Sequence, residues 1–222
     1  MALGKHGGDQ KTFLTVGFGK LRQKSLGNKQ KVDETTPGAV RRETKDGSPV
    51  WALEFDYVTG IIENIFYKED QEYGNTFEVL VSDVADNYQI SFKEDSQFWT
   101  DFMKKLPHLD LKKEVKITPY DFTDKEGKTR KGTSVEQDGE KVLSYYEVKG
   151  SDGKWQLLHG CPSADGVNFK DKDDAKVYFI KVKKFLRKEF KDNFEPIFKD
   201  KGKVVDHAPE TPSSDDPDDL PF

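Results

Sequence analysis

From Val50 to Tyr67 apolar and polar residues alternate, and the alternation loses phase at Gly60. Trp51, Leu53, Phe55 and Tyr57 share one face while Glu54 and Asp56 take the other, the period-two signature of a strand. Ile61 and Ile62 then come consecutively, and a glycine at a phase break implies a bulge or sharp bend. Two more alternating runs lie close behind. Phe77, Val79 and Val81 come after a Tyr73-Gly74-Asn75 turn, and Tyr88, Ile90 and Phe92 after Asp86-Asn87. A long coiled first strand feeding a short-looped meander restricts the chain to small, strongly curved β architectures.

The residues after the meander narrow the choice. Asp95 or Ser96 is placed to cap a helix with Phe98, Trp99, Phe102, Met103 and Leu106 on one face, ended by Pro107. Strand patterns resume at 114–122, 128–137 and 141–148, with a polar hairpin tip at Asp124–Lys128 and an Asp138-Gly139 turn signal. The fold class expected is mainly β: an OB-fold, a five-stranded Greek-key barrel with a helix between strands 3 and 4, extra N-terminal strands and loops, and a long C-terminal helix. That last helix is expected over 171–190, where Ala175, Tyr178, Phe179, Val182, Phe185, Leu186 and Phe190 recur at helical spacing. Three units are expected: a basic N-terminal extension over 1–49 packed on or beside the barrel, an OB core with added hairpin and C-terminal helix over 50–200, and a disordered acidic tail over 201–222.

Charge first argues against a nucleic-acid partner, with 36 Lys and Arg against 41 Asp and Glu for a net of −5. The mean conceals a division, because residues 206–222 hold six acids and no Lys or Arg. The remainder is nearly neutral, with basic clusters in the N-terminal segment and in the 125–131 hairpin. Leu, Ile, Val and Phe make up 24% of the chain, above the roughly 20% below which chains stay disordered. No run of about 18 apolar residues and no signal peptide is evident, and one cysteine, Cys161, fits a reducing cytoplasm.

The chain ends Asp215-Asp216-Pro217-Asp218-Asp219-Leu220-Pro221-Phe222. Carboxylates leading to an apolar residue, proline and a terminal phenylalanine form a peptide hook. Phe222 can fill an apolar pocket while its α-carboxylate and the aspartates meet a basic rim. This ending resembles the acidic tail of single-stranded-DNA-binding proteins of bacteria and phages. The layout, with long N- and C-terminal additions and no Gly/Gln-rich linker, is similar to the tailed-phage type. The resemblance implies an OB-fold that coats single strands during replication, recombination and repair, and a tail (Asp215, Asp216, Asp218, Asp219, Leu220, Pro221, Phe222) that recruits partner enzymes. It also implies a host-cytoplasmic location if the protein is phage-encoded.

Binding single strands without sequence preference needs cations along the phosphates and aromatic faces for the bases. On the strand of 114–122, Val115 and Ile117 share the core parity, which leaves Lys116, Thr118, Tyr120 and Phe122 on the other. Tyr120 is the leading stacking candidate. Trp51, Tyr57, Tyr67, Tyr73, Tyr88, Tyr146 and Trp155 join it. Arg41, Arg42, Lys116, Lys125, Lys128, Arg130 and Lys131 are the expected phosphate contacts. No cofactor is expected and no catalytic residue is assigned. His159 and Cys161 are too few for a zinc site, and there is no Walker loop or nucleophile elbow. Two other readings remain at this point. One is a metal-dependent nuclease built on Asp138, Glu147 and Lys149, and the other is a recombination or annealing mediator.

Overall fold

A computed structural model describes residues 11–26, 30–44, 47–72, 74–84, 86–151, 153 and 155–201. The three meander runs are strands, but the first is two strands rather than one. β4 covers Pro49–Phe55 and β5 Val58–Lys68, separated by Asp56 and Tyr57. β6 (Thr76–Ser82) and β7 (Asn87–Lys93) complete an antiparallel meander in which Val79 faces Ile65 and Ile90. Gly60 has φ 147°, and the register slips between Ile62 and Asn64, so the bend and the bulge both occur in β5.

The N-terminal segment is woven into the sheet. β1 (Lys11–Gly17) pairs in parallel with β7, and β2 (Lys20–Gln23) turns back on β1. β4 joins the far side of β2, with β3 (Val40–Glu43) at its outer edge. On the other side, β8 (Glu114–Thr123) pairs with β5, and β9 (Thr129–Gln137) and the two-residue β10 (Glu140–Lys141) come next. The result is one mixed ten-stranded sheet, ordered β10-β9-β8-β5-β6-β7-β1-β2-β4-β3. Its hydrogen-bonded ladder does not close. The β1–β2 turn nevertheless lies directly against β8, where a Cβ built on Gly19 falls 2.5 Å from the Asp121 nitrogen.

α1 (Gln97–Met103) starts where expected: the Ser96 hydroxyl accepts from the Trp99 N–H at 3.2 Å. Leu106–His108 then forms a 3-10 turn around Pro107. α1 drives Phe98, Trp99, Phe102 and Met103 into the core. There Trp99 meets Phe77 (ring centroids 4.7 Å apart) and Phe102 stacks on Phe92 at 5.3 Å. Burying each such ring is worth about 1.5–3 kcal/mol, so this end of the curled sheet is firmly plugged.

The expected strand over 141–148 is not formed. After β10 the chain leaves the sheet, the Tyr145 N–H bonds the Lys104 carbonyl at 2.7 Å, and β11 (Glu147–Lys149) pairs only with β12 (Trp155–Leu157). α2 (Lys172–Glu189) is capped by the Asp171 carboxylate, with Asp173 and Asp174 in its first turn and Arg187 and Lys188 in its last, matching the helix dipole. The helical path runs further than its periodicity implies. A π-helical turn over Phe190–Phe194 leads into α3 (Glu195–Lys201), next to Pro196, which has no N–H to donate. Val182, Leu186, Phe190 and Phe198 are buried, and Phe190 meets Phe77 edge-on at 5.1 Å. Among the described residues, no helix is long and apolar enough to cross a membrane.

Candidate functional site

A cleft of about 190 Å³ is bordered by Thr12, Leu14, Phe55, Tyr57, Val58 and Tyr88, where residues of β1, β4, β5 and β7 come together. Phe55, the last residue of β4, pairs with Leu21 of β2, and Tyr57 lies in the link to β5. They stay 42% and 53% exposed. The Lys116 ammonium sits 4.9 Å from the Tyr57 ring centroid, a cation–π contact that holds ring and charge together. Burial and the Asp86 carboxylate raise the pKa of the half-buried Tyr88 phenol, favouring its neutral form. Of the aromatic candidates from sequence, Tyr57 and Tyr88 are thus brought together.

The other aromatic candidates lie elsewhere. Tyr120 leans over Gly132, where a Cβ would fall 2.5 Å from the phenol oxygen, and its hydroxyl donates to Asp101 Oδ2 at 3.2 Å. Burial pushes its pKa up to about 12. Asp101 also accepts from the Thr133 N–H at 2.8 Å and pairs with the buried Lys105 at 2.6 Å, so Tyr120 belongs to the joint between α1, β8 and β9. Tyr67 is not among the residues that border the cleft. Its ring packs on Phe77 and lies under Arg187 and Lys191 (5.3 and 5.2 Å), and its hydroxyl reaches Glu94. Tyr146 is a correction: it is 1% exposed, its hydroxyl donates to Glu189 at 3.4 Å, and no base can reach its face. Alternation misleads there because residues 142–146 are not a strand. Trp51 is half-buried on β4, opposite Arg41. Trp155 is 64% exposed and lines a separate cleft with Glu147, Cys161 and Tyr178. Tyr73 and the tail residues Asp215 to Phe222 lie outside the described residues.

The cations expected to meet phosphate are largely paired with acids. In the hairpin, Lys128 pairs with Glu126 (2.7 Å), Arg130 with Asp124 (2.8 Å) and Lys131 with Asp121 (2.9 Å), while Lys125 is exposed at the tip. Lys116 also reaches Glu136 at 3.2 Å, and Arg41 reaches Glu43 at 3.1 Å. Arg42 donates to both oxygens of Glu54, which also binds the buried Arg22. The basic hairpin is therefore a nearly compensated surface. On α2 and the turn after it, Lys184, Arg187, Lys188 and Lys191 border a shallow trough, and there too Arg187 pairs with Glu94, Lys188 with Asp192 (3.4 Å) and Lys191 with Glu69 (3.9 Å).

The nuclease constellation is not assembled as a free triad. Glu147 pairs with Lys104 at 2.9 Å and Asp138 with Lys113 at 2.7 Å. Among the described residues, no group of three or more His, Cys, Asp or Glu is placed to hold a metal ion.

Several exposed rings are absent from the sequence candidates. Phe13 (54%), Phe18 (45%) and Phe122 (53%) face solvent, as does Phe55. Phe122 shares the parity of Lys116, which is a legible signal. Phe18 lies in a Phe-Gly turn, where the glycine marks the reversal but nothing marks the ring. Comparison with protein-family models, with curated proteins and with solved structures returns no match to this chain.

Proposed function

We propose that this protein binds single-stranded DNA without strong sequence preference and recruits partner enzymes through its acidic C-terminal tail. The observation that carries the reading is the cleft bordered by the exposed rings of Phe55 and Tyr57 and the half-buried ring of Tyr88, with Lys116 on Tyr57. Base–aromatic stacking is worth about 1–3 kcal/mol per base and tolerates any sequence. The tail ending Leu220-Pro221-Phe222 supports the recruiting role.

The sheet geometry is compatible with an OB-type barrel whose fifth strand comes from the start of the chain. β5, β6, β7 and β8 occupy the first four places, with α1 between the third and fourth, and β1 takes the place beside the third. The Gly19 turn against Asp121 brings the β1–β2 hairpin to the fourth strand and supports a closed reading.

Anisotropy of a labelled oligo-dT strand against the matching duplex tests the proposal. Tight binding of the strand with little binding of the duplex is the expected result, and equal binding of both would sink it. Because so many cations already hold carboxylates, fewer counterions are released, and the salt dependence is expected to be shallow for a single-strand binder. Tyr57→Ala is expected to weaken binding about 5- to 150-fold while leaving stability within about 0.5 kcal/mol, since the side chain is exposed.

A further inference from the structure

Three tight turns among the described residues place two consecutive residues at positive φ: Phe18-Gly19 (56° and 70°), Asp138-Gly139 (54° and 79°) and His159-Gly160 (52° and 73°). Asn, Asp and Gly are the residues that tolerate the first of these positions. Asp138 fits that rule. His159 is held by its flat stack on Tyr145, with centroids 3.8 Å apart. Phe18 is a bulky ring in a backbone region that disfavours it, and it keeps 45% of its surface in solvent. A residue that strains the backbone without being buried calls for an explanation outside the core.

The surroundings of the ring supply one. The guanidinium carbons of Arg22 and Arg42 lie 4.9 and 5.6 Å from its centroid. Both side chains bind Glu54, which anchors both charges beside the ring, while 45% of the residue's surface stays in solvent. The cations fix the ring in one orientation and withdraw π density from it. Ordering cost on binding falls, and so does repulsion toward an incoming aromatic ring. Gly19 is pinned on Asp121, and Phe122, one residue further along β8, is 53% exposed. Lys116, which holds Tyr57, lies six residues earlier on the same strand, about 20 Å away at the rise of a β-strand.

We propose that Phe18 is a base-stacking platform. It takes a nucleobase of a single strand at the far end of a track along β8 that begins at Tyr57. This inference rests on the single-stranded-DNA reading above and adds a site to it. The competing role for Phe18 is as a cover that shields the Arg22–Glu54–Arg42 ion cluster from water.

Two substitutions separate these roles, each measured by thermal unfolding and by oligo-dT titration over a salt series. Phe18→Asn relieves the backbone and removes the ring, while Phe18→Leu keeps an apolar cover without a π face. A platform predicts binding about 5- to 150-fold weaker in both variants, with the slope of log affinity on log salt unchanged. Unchanged affinity in Phe18→Leu, whatever its melting temperature, overturns the proposal, as does a loss confined to a changed salt slope. Failure of the unsubstituted protein to bind any single strand would instead remove the functional reading beneath it.

Discussion

Gly60→Ala is expected to destabilise the protein by about 3–5 kcal/mol. Two penalties add there. The residue holds φ 147°, a region that side chains rarely enter, and a Cβ would sit 2.3 Å from the Ser82 carbonyl oxygen and 2.8 Å from Val81 Cγ1. The Ser82 oxygen belongs to backbone in the ladder, so it cannot swing aside like the end of a flexible side chain. Gly60 also pairs with Val115, within the short stretch where β5 holds β8 and from which it passes to β6. Straightening it would separate the β8–β9 half of the sheet from the meander. Urea unfolding of Gly60→Ala against the unsubstituted chain checks this, and a loss below about 1 kcal/mol would show that β5 coils without the glycine.

Glu54→Ala is expected to cost about 3–5 kcal/mol as well, by a different mechanism. The Glu54 side chain is 8% exposed and bridges Arg22, itself 5% exposed, to Arg42. Removing it leaves a buried guanidinium without its counter-charge, and one Arg22 nitrogen, Nη2, already has no partner. The same cluster fixes a pH dependence. The hydrogen bond from Arg42, with the charges of Arg42 and Arg22 behind it, holds the Glu54 carboxyl below its usual value of about 4.5 against the opposing effect of burial. A carboxyl depressed in the folded state contributes stability above its unfolded pKa and loses it as pH falls through the folded one. Unfolding free energy is therefore expected to decline from about pH 5 downward, and the decline should be shallower in Glu54→Gln, which has no charge to protect. An equal acid decline in the two proteins would assign the effect to other carboxylates.

The parts of the fold legible in the sequence are those set by local chemistry. The alternation of β6 and β7, the Ser96 cap, the Asp138-Gly139 turn and the coiling at Gly60 each depend on residues within one or two turns of chain. The illegible parts depend on partners distant in sequence. Nothing near Lys11 states that β1 lies parallel to β7, and nothing near Val142 states that the chain leaves the sheet to seat Tyr146 under α2. The site divides in the same way. Tyr57 is visible as a strand aromatic but the junction that exposes it is not, and Tyr67 misleads because its covering cations, Arg187 and Lys191, arrive from a helical segment more than a hundred residues later. The cations are visible in the sequence, but their neutralisation is only partly so. Asp124 beside Arg130 lies within one hairpin and is in view, while Glu54 between Arg22 and Arg42 is assembled by the sheet.

The position of β1 has a consequence for how the protein is made. Among the described strands the one beside β7 comes earliest in the chain, and its register, Lys11 on Asn87 through Thr15 on Ser91, cannot form until about 75 further residues have been made. Until then β1 can pair only with β2, and β2 in turn with β4, a small antiparallel unit without its partner in the meander. Pairings of such long sequence separation set a slow folding rate, because the loop must be closed before any contact rewards it. The edge of β1 that faces β7 therefore waits unpaired until the meander arrives.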